Sequence, residues 1–152
     1  MVNRPYQNWS RTFVCHPAQR PAPRDLPELQ QLVRDLGRDG QPARVAGAGH
    51  SFDSHGASDG SLITLDGLSG LIEVQRSERR ARVRAGTRLF DLGPALWARG
   101  LALRNMGDID RQSLGGAIST GTHGTGRSLG CMARDVTALT LVDAQGDLHH
   151  CS

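Results

Sequence analysis

The sequence reads Gly47-Ala48-Gly49-His50-Ser51-Phe52 at its first glycine-rich stretch and Gly115-Gly116-Ala117-Ile118-Ser119-Thr120-Gly121-Thr122-His123-Gly124 at its second. Segments with small side chains let backbone N–H groups approach a bound anion closely. The first stretch directly follows a predicted strand, Ala43–Ala46, and a rigid strand places a binding loop well. The two stretches together predict a phosphate-rich cofactor that is held from two sides.

The composition is that of one globular unit, since 38% of the 152 residues are hydrophobic. All 18 basic residues are arginine, and the sequence contains no lysine. A Walker A loop and a Schiff-base lysine are therefore excluded within this chain. The net charge is only +3 and 4% of the residues are aromatic, which argues against a nucleic-acid partner. The cluster from Arg76 to Arg84 is interpreted as a solvated hairpin turn or as an anion patch.

The first glycine-rich stretch does not match the fingerprint of dinucleotide-binding Rossmann domains. Phe52 stands where that fingerprint needs its third glycine, and the expected acidic residue does not follow at the right distance. A Rossmann hydride-transfer domain is thus disfavoured. The pattern indicates another fold that holds a pyrophosphate through loops.

Residue patterns predict a mixed order of helices and strands. Residues 1–23 carry four prolines and predict an extended arm, after which Asp25 and Glu28 form a capping box for a helix that ends at Gly37 or Gly40. A second helix, Leu89–Trp97, is expected to turn Leu89, Leu92, Leu96 and Trp97 inward, with Pro94 shortening or kinking it. Strands are predicted at Ala43–Ala46, 62–65, Leu71–Gln75, 81–85, 136–142 and Leu148–Cys151.

Three cysteines, Cys15, Cys131 and Cys151, are an odd number without zinc-type spacing. The N-terminus lacks an apolar run flanked by basic residues, and no stretch reaches the roughly 20 apolar residues of a membrane span. A cytoplasmic, reducing location is therefore expected, with no transmembrane segment and no metal site.

Longer segments carry a resemblance to a known family. The chain resembles the N-terminal flavin-binding region of the vanillyl-alcohol-oxidase superfamily, and within it the sugar-1,4-lactone oxidases of the gulonolactone and arabinonolactone oxidase group. The similarity runs from about residue 8 to residue 152. It is carried by Asn8-Trp9-Ser10, by residues 44–52, by Asn105-Met106-Gly107-Asp108-Ile109-Asp110 and by residues 112–126.

This resemblance implies an α+β fold, a PCMH-type FAD-binding domain of two α+β subdomains of which the second is incomplete. Residues 1–23 would be the N-terminal arm, 24–105 the first subdomain and 106–152 the start of the second, with the C-terminal substrate domain absent. FAD would lie extended between the subdomains. The implied function is an FAD-dependent oxidoreductase, or its N-terminal fragment, that oxidises a sugar-1,4-lactone by hydride transfer to FAD, with oxygen or another acceptor. No catalytic residue is assigned to this chain, because the family's substrate-activating side chains lie in the later part.

The resemblance also implies which residues contact the cofactor. In the family, the histidine of the Gly-x-Gly-His-Ser segment is commonly bonded to the flavin 8α-methyl carbon, and here that position is His50. A neutral imidazole is nucleophilic near pH 7; the alternative is an ordinary loop histidine that hydrogen-bonds a phosphate or a carbonyl. His123 either contacts the flavin or holds the shape of its loop. The expected FAD contacts are Val45, Ala46, Gly47, Ala48, Gly49, His50, Ser51, Asp108, Ser113, Gly116, Ala117, Gly121, Thr122, His123 and Gly124.

Two alternatives stay open at the level of the sequence. An alditol oxidase of the same superfamily would keep FAD but act on a polyol, although Gly107-Asp108-Ile109-Asp110 favours the lactone group. A non-catalytic FAD-binding module, or one half of a split enzyme, would instead recruit a complementing C-terminal chain. Turnover of a lactone or an alditol separates these alternatives.

Overall fold

The structure is a computed structural model that describes residues 4–152. Contacts divide the chain into a first unit, residues 4–67 with Ala138–Ser152, and a second unit, Leu68–Thr137. The elements in chain order are β1 (Tyr6–Gln7), β2 (Val14–Cys15), α1 (Leu26–Arg38), β3 (Ala43–Ala46), β4 (Ser61–Thr64), β5 (Leu71–Gln75), β6 (Arg80–Val83), α2 (Leu89–Trp97), α3 (Leu114–Ser119), a 3-10 turn (Met132–Asp135), β7 (Leu139–Val142) and β8 (Leu148–Cys151).

The first unit is organised around β4. This strand pairs in parallel with β3, from Ala43 opposite Ser61 to Ala46 opposite Thr64. Its other edge receives the chain just before α1, since the N–H groups of Leu62 and Thr64 donate to the carbonyl oxygens of Gln19 and Pro21. β4 is accordingly the buried centre of this unit, and the first glycine-rich stretch leaves the carboxyl end of its neighbour β3.

Helix α1 begins where the sequence predicts. The Asp25 side chain accepts a hydrogen bond from Glu28 N, and Pro27 occupies the first turn, where its missing N–H is not needed. The Glu28 carboxylate accepts from Arg24 N. The helix ends at Arg38, and Gly40 follows with a left-handed backbone at φ 62°.

The second unit packs α2 and α3 against the β5–β6 hairpin. Its buried cluster consists of Leu89, Leu92, Leu96, Ala117 and Met132, and partly buried Leu71 and Val83 pack on it from the hairpin. Helix α3 is short and was not predicted, because its Leu-Gly-Gly-Ala-Ile-Ser sequence has a low helix propensity. Close packing accounts for one of its glycines: a Cβ at Gly115 would lie 3.1 Å from the Cβ of Ala85.

Several predictions from the sequence are confirmed and others are corrected. β3, β5, β8 and α2 have the predicted bounds. β4 lies one residue earlier than predicted at both ends, and β6 starts one residue and ends two residues earlier. β7 begins only at Leu139, since the 3-10 turn and its cap occupy 132–136. The predicted arm contains the β1–β2 hairpin. The subdomain boundary predicted between residues 105 and 106 stays a prediction; both residues belong to the second unit.

The predicted inward position of Trp97 is wrong, because this side chain is 78% exposed. Leu89, Leu92 and Leu96 follow the spacing of one helix face. Trp97 directly follows Leu96, so it lies about 100° further around the helix and faces away from the core.

We expect Leu92→Ala to lower the free energy of unfolding by about 2–5 kcal/mol, since it leaves a cavity in the core of the second unit. Trp97→Ala is the matched control on the same helix and should cost less than about 1 kcal/mol, because the indole is exposed. Denaturant unfolding measures both. Equal losses for the two variants would contradict the packing described.

The turn between β7 and β8 is held by Asp143. Its carboxylate accepts hydrogen bonds from His149 Nε2 at 2.7 Å and from the N–H groups of Asp147 and Gln145 at 2.8 and 2.9 Å. These contacts, the His149 bond first, lower the pKa of Asp143 below its usual 3.8. A carboxylate with a lowered pKa stabilises the fold above its unfolded-state pKa and loses that contribution as pH falls through the folded-state value.

We therefore expect Asp143→Asn to lower the thermal midpoint at pH 6. The two proteins should converge as pH falls from about 3.8 through the lowered pKa of Asp143, since the parent loses the same interaction over that range. Asp91→Asn, an exposed carboxylate on α2, serves as the control. Thermal unfolding at a series of pH values measures the effect. A difference between Asp143→Asn and the parent that does not change with pH would contradict this assignment.

Candidate cofactor-binding site

The N-terminal segment fixes the first glycine loop, residues 47–52, by binding its carbonyl oxygens. Trp9 N donates to Gly49 O, Asn8 Nδ2 to Ser51 O and Thr12 Oγ1 to Phe52 O, each at 2.8 Å. Asn8 is only 2% exposed, and its Oδ1 accepts from Phe13 N at 3.2 Å. Because the carbonyl oxygens are bound on one side, the loop backbone has a fixed orientation.

Gly49 gives this loop its shape. Its φ of 73° lies in the left-handed region that glycine adopts without strain. A Cβ at this position would also lie 2.7 Å from Tyr6 Oη. Within residues 4–152, the N–H groups of Ala48 and Gly49 donate no hydrogen bond to the chain, so they can bind the oxygens of an anion.

His50 is half-buried at the centre of the loop. Its imidazole lies against the indole of Trp9, with 5.5 Å between the ring centroids and 32° between the ring planes. Val45, in β3, is 54% exposed, whereas Ala46 is 8% exposed and belongs to the core. The loop thus places an imidazole beside backbone N–H groups that donate no hydrogen bond within residues 4–152.

One carboxylate lies close to this loop, that of Asp53. The backbone N–H of His55 donates to it at 3.0 Å and the His55 ring lies 2.8 Å away. These hydrogen bonds, the backbone bond first, lower the pKa of Asp53. Asp53 is therefore ionised at neutral pH and is engaged by its own turn.

The second glycine loop, residues 121–124, leaves the end of α3 in the second unit. Gly121 has a φ of 67°. Thr122 N donates to Ala117 O at 3.1 Å, and Thr122 O accepts from Met132 N at 2.8 Å. The backbone of Thr122 is thus bound on both sides, which fixes the position of the residues that follow it.

Two glycines let residues 105–107 lie directly against this loop. A Cβ at Gly107 would be 2.9 Å from Thr122 Cγ2, and a Cβ at Gly124 would collide with Asn105 Oδ1 and lie 2.6 Å from Met106 O. Asn105 Nδ2 also donates to Gly130 O at 2.8 Å. The close approach explains why glycine is required at these two positions.

The side chain of Gln112 places a buried hydrogen-bond acceptor next to the second glycine loop. Its Nε2 donates to Thr122 Oγ1 at 2.9 Å. Its Oε1 is buried and has no hydrogen-bond partner within residues 4–152. A buried polar atom without a partner costs about 1–3 kcal/mol, so a ligand that donates a hydrogen bond here would relieve that cost.

The remaining predicted contacts differ in their surroundings. His123 is exposed and its Nδ1 lies 2.8 Å from Gly124 O, and Asp108 is exposed. Ser113 is buried, its hydroxyl accepting from Gly116 N at 3.4 Å as the cap of α3, and Ala117 is fully buried in the core. Ser113 and Ala117 therefore have structural roles in this fold, and their contact with FAD stays a prediction, as it does for the whole predicted set.

Sequence reasoning did not assign a role in the site to Asn8, Trp9, Asn105 and Gln112. All four stand in the segments that carried the resemblance. Their roles depend on contacts such as that of Asn8 with Ser51, 43 positions away in the chain, which no local pattern reveals.

Each glycine loop has a feature that fits an FAD-type ligand. In the first unit, the N–H groups of Ala48 and Gly49 donate no hydrogen bond within residues 4–152 and suit phosphate oxygens. In the second unit, Gln112 has a buried acceptor without a partner in the same range, which suits a hydrogen-bond donor. Among residues 4–152, no group of three or more His, Cys, Asp or Glu side chains could hold a metal ion. No helix in this range is long and apolar enough to cross a membrane.

These features are those of a nucleotide-binding domain, and comparison with known proteins gives the family. A family model described as "FAD binding domain" matches residues 17–152. The chain belongs to this FAD-binding domain family, which confirms the predicted α+β, PCMH-type fold.

The curated relatives of this chain are named for the oxidation of sugar lactones. The chain is 34% identical over 147 residues to L-gulonolactone oxidase of Mus musculus, covering 97% of this chain and 33% of the relative. It is 35% identical over 143 residues to L-gulono-1,4-lactone dehydrogenase of Mycobacterium tuberculosis, covering 94% and 33%. It is 37% identical over 147 residues to D-arabinono-1,4-lactone oxidase of Eremothecium gossypii, covering 94% and 28%. The chain thus spans about a third of the length of the curated relatives it matches.

Solved structures show the same fold. Chitooligosaccharide oxidase superposes with a TM-score of 0.85 at 25% identity, over 96% of this chain and 32% of that protein. The 6-hydroxy-D-nicotine oxidase of Arthrobacter nicotinovorans superposes with a TM-score of 0.79 at 23% identity, over 88% of this chain and 29% of that protein. The second likeness concerns the fold alone.

We expect Gly49→Ala to destabilise the protein more than Gly40→Ala. Both glycines have a left-handed backbone, which costs a non-glycine residue about 1–2 kcal/mol. Only at Gly49 does the new methyl group also meet a neighbour, Tyr6 Oη, since nothing lies within 4 Å of a Cβ at Gly40. Denaturant unfolding of both variants measures the difference. Equal losses would show that the contact with Tyr6 does not constrain the loop.

Proposed function

We propose that this chain is the FAD-binding part of an oxidoreductase that oxidises a sugar-1,4-lactone. The proposal is carried by the first glycine loop, in which the N–H groups of Ala48 and Gly49 donate no hydrogen bond within residues 4–152. It is supported by three relatives that are named for lactone oxidation and are 34–37% identical to this chain. When bound, FAD supplies the two-electron chemistry: it accepts a hydride from a substrate carbon and delivers the electrons to an acceptor.

Different residues of this chain would contact different parts of FAD. The N–H groups of Ala48 and Gly49 bind diphosphate oxygens, since they are unused by the chain. Thr122, His123 and Gly124 form the second contact, with Gln112 Oε1 accepting a hydrogen bond from the cofactor. Binding and orientation of FAD are thus the functions assigned here, and substrate activation is not.

We further propose that His50 bonds to the 8α carbon of the flavin. The His50 imidazole would supply the nucleophilic nitrogen and would lose its N–H proton in forming the bond. The methyl carbon would lose one proton as well, and the two electrons released would pass to oxygen. The half-buried position of His50 within the glycine loop supports this role. Such a bond would prevent loss of the cofactor.

The test uses protein saturated with FAD, then denatured and precipitated with acid. We expect yellow colour to stay in the pellet of the parent and of His55→Ala, and to be lost with His50→Ala. His55 is the matched control because it is exposed and, like His50, lies in the tryptic peptide 45–76. Mass spectrometry of that peptide, with fragmentation, identifies the modified residue. A colourless pellet from the parent, or colour retained by His50→Ala, would contradict the covalent link.

Substrate oxidation is tested separately with FAD-loaded protein. L-Gulono-1,4-lactone, D-arabinono-1,4-lactone and an alditol are supplied at equal concentration, and oxygen consumption and dye reduction are both followed, since the relatives include oxidases and a dehydrogenase. We expect a lactone to be oxidised by the complete enzyme of which this chain would be the FAD-binding part, and not by this chain alone. Faster oxidation of the alditol by the complete enzyme would favour an alditol oxidase. Oxidation that appears only when a separate C-terminal chain is added would favour one half of a split enzyme, and FAD binding without oxidation in either case would favour a non-catalytic module.

A further inference from the structure

Trp9 is a large aromatic side chain that the fold leaves uncovered. Its indole is 67% exposed, although burying an aromatic ring of this size is strongly favourable. The one ring contact it makes within residues 4–152 is with the imidazole of His50, at 5.5 Å between centroids. The indole therefore covers one side of His50 and presents most of its own surface outward.

The backbone beneath this indole is held firmly. Trp9 N donates to Gly49 O at 2.8 Å, directly before His50 in the chain. The preceding residue, Asn8, is 2% exposed, and its Nδ2 lies 2.8 Å from Ser10 Oγ and from Ser51 O. Since Asn8 and Trp9 bind the residues on both sides of His50, the indole and the imidazole belong to one fixed substructure.

We propose that Trp9 is a positioning residue for His50: its indole restricts the orientation of the imidazole and forms an aromatic wall beside FAD bound at the first loop. The proposal rests on the covalent bond between His50 and the flavin that is proposed above. A side chain held near its productive orientation reacts much faster than one that rotates freely. Loss of the wall should therefore slow the reaction of His50 more than it affects folding.

The experiment compares Trp9→Ala, Trp9→Phe and Trp97→Ala. Trp97 is the matched control because it is the other tryptophan and is also exposed, on α2 of the second unit. The first readout, independent of FAD, is the NMR position of the His50 ring protons, which the ring current of a stacked indole displaces. The second is the rate of covalent flavin incorporation at saturating FAD, and denaturant unfolding reports stability.

We expect Trp9→Ala to move the His50 ring signals and to slow incorporation by about tenfold or more, whereas Trp97→Ala changes neither. Trp9→Phe, which keeps an aromatic face, should restore the rate to within about threefold of the parent. A merely structural role would not give this rescue without a matching change in stability. Unmoved His50 signals, or an incorporation rate equal to that of the parent, would overturn the proposal. Should Trp9→Ala unfold, Trp9→Leu replaces it under the same criteria.

Failure of the covalent link can be recognised separately. If the parent incorporates no flavin, the link through His50 is wrong, and Trp9 is then judged by the dissociation constant of FAD. A dissociation constant about tenfold higher in Trp9→Ala than in the parent supports the aromatic wall, and an unchanged one overturns it.

Discussion

The candidate site depends on how the first glycine loop is bound from behind. Three donors from the segment Asn8 to Thr12 occupy the carbonyl oxygens of Gly49, Ser51 and Phe52. Binding these oxygens fixes the orientation of the loop backbone. The N–H groups of Ala48 and Gly49 belong to the two preceding peptide groups and donate no hydrogen bond within residues 4–152. The position of the loop thus depends on a segment that lies some 40 residues earlier in the chain.

The backbone of the second glycine loop is fixed mainly by steric fit. Residues 105–107 lie directly against it, because Gly107 and Gly124 have no side chain and a Cβ at either position would collide. The hydrogen bond from Gln112 to Thr122 fixes one side of the amide and leaves Gln112 Oε1 buried without a donor. The Gln112 oxygen therefore lacks a hydrogen-bond donor within residues 4–152 and favours a ligand with N–H or O–H groups.

Local chemistry accounts for most of what the sequence predicted. The Asp25 cap, the apolar spacing in α1 and α2 and the alternation in the β5–β6 hairpin are short-range signals, and those elements lie where expected. The misses are of two kinds. Helix α3 packs on Ala85 although its helix propensity is low. Trp97 is apolar but exposed, because its position on α2 lies off the face that carries Leu89, Leu92 and Leu96. The roles of Asn8 and Gln112 arise from tertiary contacts, which neither spacing nor composition encodes.

The family assignment and the unused N–H groups of Ala48 and Gly49 support the proposal that this chain binds FAD through its glycine loops. The most direct test is an NMR titration of the amide-labelled chain with FAD. The account predicts saturable shifts of the amide signals of Ala48 and Gly49 and of Thr122 to Gly124. Saturable shifts confined to the arginine-rich hairpin around Arg80, or no shift in either loop at saturating FAD, would contradict it.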